Sequence, residues 1–115
     1  MSRHEGLTRL RHMLDYSREA ATLVAGKTRR DLDADRKLNL ALVRLLEIVG
    51  EAANRATSEE RLLCPSIPWG QIVALRNRLI HGYDAVDFDV LWGIVSVDLP
   101  NLIATLELVL PKDAS

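Results

Sequence analysis

Apolar residues recur at helical spacing along most of this chain. In the clearest segment most of them stand three or four positions apart, and one adjacent pair widens the face: Leu38, Leu42, Leu45, Leu46, Val49 and Ala53. Such positions share one face of an α-helix, whereas a half-buried strand needs alternation at every second residue. Apolar residues make up 48% of the chain and aromatic residues only 4%, so the core is aliphatic and lacks the aromatic content typical of strands. The pattern predicts an all-α fold.

Boundary residues divide the pattern into four helices. The predicted bounds are Ser2 or Arg3 to Ala25, Asp31 or Asp33 to Ala56, Ser66 to about Gly82, and Asp87 to about Leu110. Gly26 and Gly82 are suited to the left-handed conformation that follows a helix. Pro100 is expected to kink or split the last helix, because proline lacks an N–H and clashes with the preceding turn. A chain of 115 residues can bury one core, so residues 1–115 are predicted to form a single domain.

Composition limits the classes of partner. The formal net charge is −1, so any nucleic-acid contact would rest on a local patch or be assembled from more than one chain. Cys64 is the only cysteine, which excludes an intrachain disulfide and favours a structural or exposed thiol in a reducing compartment. No uncharged apolar run approaches the roughly 20 residues of a membrane span, and the charged N-terminus does not resemble a signal peptide. A cytoplasmic protein without a membrane partner is expected.

The reactive side chains are concentrated in one stretch, Arg76-Asn77-Arg78-Leu79-Ile80-His81-Gly82-Tyr83. On a helix that continues to Gly82, Arg76 and His81 would be about 140° apart in angle and about 7.5 Å apart along the axis. One copy would therefore make a poor joint site, and two copies packed across a two-fold axis would make a better one. In the last turn of that helix, the carbonyl dipole would favour a protonated His81.

These groups suit RNA cleavage by the internal ribose hydroxyl. Histidine can carry protons, arginine can stabilise the phosphate, and no metal is obligatory. Residue types and spacing alone nevertheless favour a simpler interpretation, a basic helix C-terminus that is ended by Gly82 and followed by a boundary tyrosine, Tyr83.

The second helix offers further candidates. Glu47 and Glu51 share a face and could contact an arginine across the bundle, although solvated side chains are the favoured interpretation. Gly50 lies between them, and a close approach of another helix would compensate for its low helix propensity. His4 and His12 are eight residues apart, which does not align them as a metal-binding pair on adjacent turns. No metal site is predicted.

The stretch from Arg76 to Tyr83 resembles a known family pattern. Arginine, four residues, histidine, one residue and tyrosine, with asparagine directly after the arginine, is the motif of the HEPN superfamily, and the chain is most similar to its HepT-like toxin branch. The resemblance extends to the run Glu47-Ile48-Val49-Gly50-Glu51-Ala52, the pair Pro68-Trp69, Trp92, and Asp98-Leu99-Pro100. It implies a HEPN-type four-helix bundle that forms a homodimer.

The resemblance also implies an activity and a partner. HepT-like proteins of this kind are toxins of type II toxin–antitoxin systems, with a composite, metal-independent endoribonuclease site at the dimer interface. It implies catalytic roles for Arg76 and His81, a supporting role for Asn77, RNA products with cyclic phosphate and 5′-hydroxyl ends, and no cofactor. It further implies that an MNT-type nucleotidyltransferase antitoxin silences the enzyme by AMPylation of Tyr83. The alternative is a noncatalytic helical partner of a nucleotidyltransferase that binds nucleotide or protein.

Overall fold

Helices account for nearly all the regular structure. A computed structural model describes residues 7–81 and 85–111, without the side chain of His81. The helices are α1 Thr8–Val24, α2 Arg29–Ala34, α3 Arg36–Arg55, α4 Ser58–Leu63, α5 Trp69–Val73, α6 Leu75–Leu79, α7 Phe88–Gly93 and α8 Leu99–Val109. A π-helical turn, Ile94–Asp98, joins α7 to α8. Two short antiparallel strands, β1 Ile80–His81 and β2 Ala85–Val86, follow α6. The predicted all-α fold is confirmed.

The bundle has four members: α1, α3, the pair α5–α6, and the joined helix α7–α8. Helix α3 lies at the centre, since it packs against α1 on one side and against α5 and α6 on another, while α1 also contacts α8. All six residues of the apolar pattern in α3 are buried. The periodicity in the sequence therefore identified the core face of this helix correctly.

Among the described residues, helix α1 begins at Thr8, and the predicted start at Ser2 or Arg3 lies outside them. Its first turn is capped from a distant part of the chain, because Oε2 of the completely buried Glu60 accepts hydrogen bonds from the backbone N–H groups of Arg9 and Leu10. The other oxygen of Glu60 accepts from the N–H of Thr57 and closes the capping box of α4. One carboxylate thus caps the N-termini of two helices, where negative charge is favoured. At the other end, Gly26 has a φ of 75°, as predicted.

The predicted second helix is divided in two. Thr28 and Asp31 form a capping box at the start of α2. Asp35 interrupts the helix, and its side chain accepts a hydrogen bond from the N–H of Leu38 to begin α3. The prediction of Asp31 or Asp33 as the cap of one long helix was therefore wrong, since Asp35 competes for the backbone donors at that point.

The predicted third helix is both interrupted and shorter than expected. It is divided at Ala74 into α5 and α6, and it ends at Leu79. The carbonyl of Leu79 accepts the N–H of Asp87 at 2.8 Å, and Ile80 and His81 pair with Val86 and Ala85. Because these contacts take the backbone groups that would extend the helix, His81 lies in a strand. The prediction that it lies in the last helical turn was wrong, and Gly82 is outside the described residues.

The last helix is continuous but irregular before Pro100. Asp87 caps it as predicted, by accepting hydrogen bonds from the N–H groups of Asp89 and Val90. The π-helical turn precedes Pro100, whose missing N–H and bulky ring disturb the regular hydrogen-bond ladder at this point. Among the described residues, the segment 88–109 is the one helix that is long and apolar enough to pass for a membrane span by length and composition. Leu91, Leu99 and Leu106 of this helix are buried in the bundle.

Helices α3 and α5 approach each other closely at Gly50. A Cβ atom built on Gly50 would lie 3.0 Å from the carbonyl oxygen of Ile72 and 3.7 Å from Cβ of Leu75. The oxygen belongs to the backbone of α5, so a larger residue at position 50 would have to displace the helix itself. The expected compensation for a glycine inside a helix is confirmed.

We expect Gly50→Ala to separate α3 from α5. The gain in helix propensity is about 1 kcal/mol, whereas forcing an atom into a packed contact costs about 1–3 kcal/mol. Gly93→Ala is the matched control, because nothing lies within 4 Å of its Cβ position and only the gain in propensity should remain. Urea unfolding should show Gly50→Ala less stable than Gly93→Ala. Equal stabilisation of both variants would contradict the close approach.

Candidate active site

The side chain of Arg76 projects from α6 and is held by α3. Its Nε donates a hydrogen bond to Oε2 of Glu47 at 3.3 Å. The arginine side chain is 68% exposed, whereas that of Glu47 is 25% exposed. Within the described part of the chain, no other hydrogen bond reaches this guanidinium, so its two terminal nitrogens stay open to solvent. Glu47 therefore orients the guanidinium and leaves its fork available for an anion.

Arg76 and Asn77 line a surface groove of about 390 Å³ between α3 and α5–α6. The groove is bordered by Arg44, Glu47, Gly50, Glu51, Asn54, Val73, Arg76 and Asn77. Glu51 accepts a hydrogen bond from Nε of Arg55 at 2.8 Å on the same helix. Glu47 thus contacts an arginine across the bundle, and its favoured interpretation as a solvated side chain was wrong. Both glutamates border the same groove as the two motif residues.

The remaining motif residues are only partly described. The backbone of His81 lies in β1, two residues beyond the end of α6, and its side chain is not described. Tyr83 lies outside the described residues. The angle and axial distance predicted between Arg76 and His81 do not apply, because the two residues do not share a helix. The helical argument for a site made from two copies therefore fails, and the homodimer stays a prediction from the family resemblance.

Arg78 lies on the other side of α6. Its terminal nitrogen is 3.6 Å from a carboxylate oxygen of Asp98 in the π-helical turn. Both residues border a second cavity, of about 270 Å³, that is lined mainly by apolar side chains and that neither Arg76 nor Asn77 reaches. The two arginines of the motif therefore serve different surfaces, and only Arg76 belongs to the polar groove.

Other sequence candidates take structural or surface positions. Cys64 is buried, and this burial, together with the nearby carboxylate of Glu60, raises the pKa of its thiol. A protonated, buried thiol is a poor nucleophile, so the predicted structural role fits. His12 is exposed, and His4 lies outside the described residues. No group of three or more potential metal ligands occurs within residues 7–81 and 85–111.

Comparison with known proteins identifies the family. A family model described as "Ribonuclease HepT-like" matches residues 13–109. The chain belongs to the HepT-like ribonuclease family. The match includes α3, α5, α6 and the motif stretch, so it spans every element that borders the groove.

Curated relatives support the same membership. The chain is 40% identical over 88 residues to "Probable ribonuclease HepT" of Thermococcus cleftensis, covering 73% of this chain and 80% of the relative. It is 32% identical over 104 residues to "Putative RNase TTE0752" of Caldanaerobacter subterraneus, covering 90% of this chain and 93% of the relative. No solved structure gives a significant match. Both names describe the relatives as ribonucleases, which supports RNA cleavage as the activity of the family.

The sequence of α3 contains a polar pattern that corresponds to the groove, but the stronger apolar pattern of the same helix makes it easy to miss. Arg44, Glu47, Glu51 and Asn54 recur at intervals of three, four and three residues, so they form a polar stripe on a helix whose opposite face is buried. A polar stripe alone is usually solvated. Only the contact between Glu47 and Arg76 shows that it borders the motif.

Proposed function

We propose that this chain is a metal-independent endoribonuclease whose site is built around Arg76 and His81, with Asn77 in support. The single observation that carries the proposal is the orientation of the Arg76 guanidinium. Glu47 accepts a hydrogen bond from its Nε, and the largely exposed side chain lines an open groove together with Asn77. In a member of a ribonuclease family, this arrangement suits the binding of a phosphodiester.

The proposed reaction is attack by the ribose 2′-hydroxyl on the adjacent phosphorus. The bond from O2′ to phosphorus forms, and the bond from phosphorus to O5′ breaks. The proton of the 2′-hydroxyl is removed, and a proton is delivered to the leaving O5′. The products are a 2′,3′-cyclic phosphate and a 5′-hydroxyl end. Arg76 stabilises the charge on the phosphoryl oxygens, and His81 transfers a proton.

The proposal extends to assembly and regulation. The family resemblance supports a homodimer in which each protomer contributes to the site, and a toxin that acts on RNA in the cytoplasm. It also supports an MNT-type nucleotidyltransferase as the antitoxin. The hydroxyl of Tyr83 would attack the α-phosphate of ATP, release pyrophosphate and become AMPylated. Since Tyr83 follows His81 by two residues, the added anion would compete with RNA for the same cationic groups.

The first prediction concerns cleavage itself. Purified protein incubated with RNA in the presence of a chelator should release cyclic-phosphate ends. We expect Arg76→Ala and His81→Ala each to lower kcat by about 10²-fold or more, because each removes a group that acts in the transition state. Arg30→Ala, a change to an exposed arginine on α2, is the control and should leave kcat unchanged. Cleavage that persists in both motif variants would contradict the site.

The second prediction concerns Glu47 as a positioning residue. Glu47→Gln removes the charge that orients Arg76, so we expect kcat to fall about tenfold, with KM changed less. Glu51→Gln is the matched control, because Glu51 borders the same groove but is paired with Arg55. Thermal unfolding should separate this role from a structural one, since an exposed ion pair contributes about 1 kcal/mol or less. A kcat for Glu47→Gln equal to that of Glu51→Gln would contradict the positioning role.

The third prediction concerns Tyr83. After co-expression with the nucleotidyltransferase, intact-mass spectrometry should show the addition of AMP to the wild-type chain and none to Tyr83→Phe. Tyr16→Phe should be modified normally, because it changes the other tyrosine of the chain. Complete inhibition of Tyr83→Phe by the same partner would indicate silencing by binding instead of by modification.

A further inference from the structure

Arg44 is a cation of the groove that the motif does not include. It lies on α3, is exposed and borders the groove together with Arg76 and Asn77. Among the ion pairs formed by the described residues, none involves Arg44. Its side chain therefore has an open charge directed to the same surface as the proposed phosphate-binding arginine.

The charges around the groove leave Arg44 without compensation. Glu47 is paired with Arg76, and Glu51 is paired with Arg55. Together, Arg44, Arg55 and Arg76 have one more charge than the two glutamates. Because the other two arginines are paired, the excess positive charge lies on Arg44. Because the whole chain has a net charge of −1, this excess is a local feature of the groove. A local cation next to an oriented guanidinium favours a second anionic group on the same ligand.

The position along α3 fits neighbouring groups on one strand. Arg44 precedes Glu47 by three residues, which is about 4.5 Å along the helix axis and on the same face. A ligand held by Arg76 beside Glu47 would therefore pass Arg44 as it follows the groove. Among the described residues that border the groove, none is aromatic, so the groove offers no stacking platform for bases. The guanidinium and amide groups that line the groove donate hydrogen bonds, and such donors suit the phosphates of a nucleic-acid backbone.

We propose that Arg44 binds a backbone phosphate of single-stranded RNA next to the phosphate held by Arg76. This inference rests on the proposed ribonuclease function and adds a subsite to it. Arg44 strengthens RNA binding through charge, independently of base sequence, and takes no part in the chemical step. Its loss therefore raises KM and the Kd for RNA, leaves kcat unchanged and weakens the salt dependence of binding.

The test measures binding of a fluorescent single-stranded RNA as a function of salt, in a His81→Ala background that prevents cleavage. Arg44→Gln should bind about tenfold more weakly at low salt. The slope of log Kd against log salt concentration should fall by about 0.7, the value for one phosphate contact on a single strand. Arg44→Lys should restore most of the slope, because it keeps the charge.

Arg36→Gln is the matched control. Arg36 is also exposed and lies on α3, about 12 Å from Arg44 along the helix axis, and it does not border the groove. The Arg36→Gln change removes the same charge from the same helix but outside the groove. The slope of log Kd against log salt concentration should therefore equal that of the parent protein. An equal fall in slope for Arg36→Gln and Arg44→Gln would show a general charge effect and would overturn the subsite.

Two further outcomes separate the inference from the function on which it rests. If the otherwise wild-type Arg44→Gln enzyme cleaves RNA with the KM of the wild type, or loses kcat while the salt slope is unchanged, the subsite is overturned and the ribonuclease proposal stands. If the wild type binds RNA but never cleaves it, the proposed function fails. In that case, a smaller slope for Arg44→Gln alone would still support the phosphate contact.

Discussion

The contact between Gly50 and the backbone of α5 sets the position of the candidate site. It lets the carbonyl oxygen of Ile72 approach α3 to a position only 3.0 Å from where a Cβ atom would lie, a distance at which a side chain would be crowded. At this separation, the side chain of Glu47 on α3 reaches the guanidinium of Arg76 on α6. The groove between these helices depends on the same spacing. Gly50, which has no side chain, therefore sets the separation of the helices at which Glu47 contacts Arg76.

Electrostatic pairing then determines which groups of the site are available to a ligand. Glu47 bonds Nε of Arg76 and leaves the terminal nitrogens open, whereas Glu51 is paired with Arg55 along its own helix. The buried carboxylate of Glu60 has a different role, since it bonds three backbone N–H groups at the starts of α1 and α4. These three glutamates thus either pair with an arginine or cap helices.

Local sequence signals predicted the helices well where no distant group competed. The apolar period of α3, the left-handed Gly26 and the cap at Asp87 all depend on neighbours within a few residues. The boundaries that were wrong depend on competition. The side chain of Asp35 accepts a hydrogen bond from the backbone N–H of Leu38, which one long helix would have used for itself. Glu60 caps α1 from about 50 positions away in sequence. Periodicity contains no information about such competing partners.

By itself, the sequence determined the helical class, the buried faces and the motif that indicates a ribonuclease family, because these follow from residue type and spacing. Only the tertiary structure decided that α6 ends at Leu79, since the carbonyl of Leu79 bonds the N–H of Asp87 instead of continuing the helix. It also decided that Glu47 meets Arg76, 29 residues away. The first contact closes a short β-hairpin between residues eight positions apart, and the second requires the packing of α6 against α3. Helical periodicity specifies neither pairing, because each one depends on groups that lie beyond the neighbouring turns of the helix.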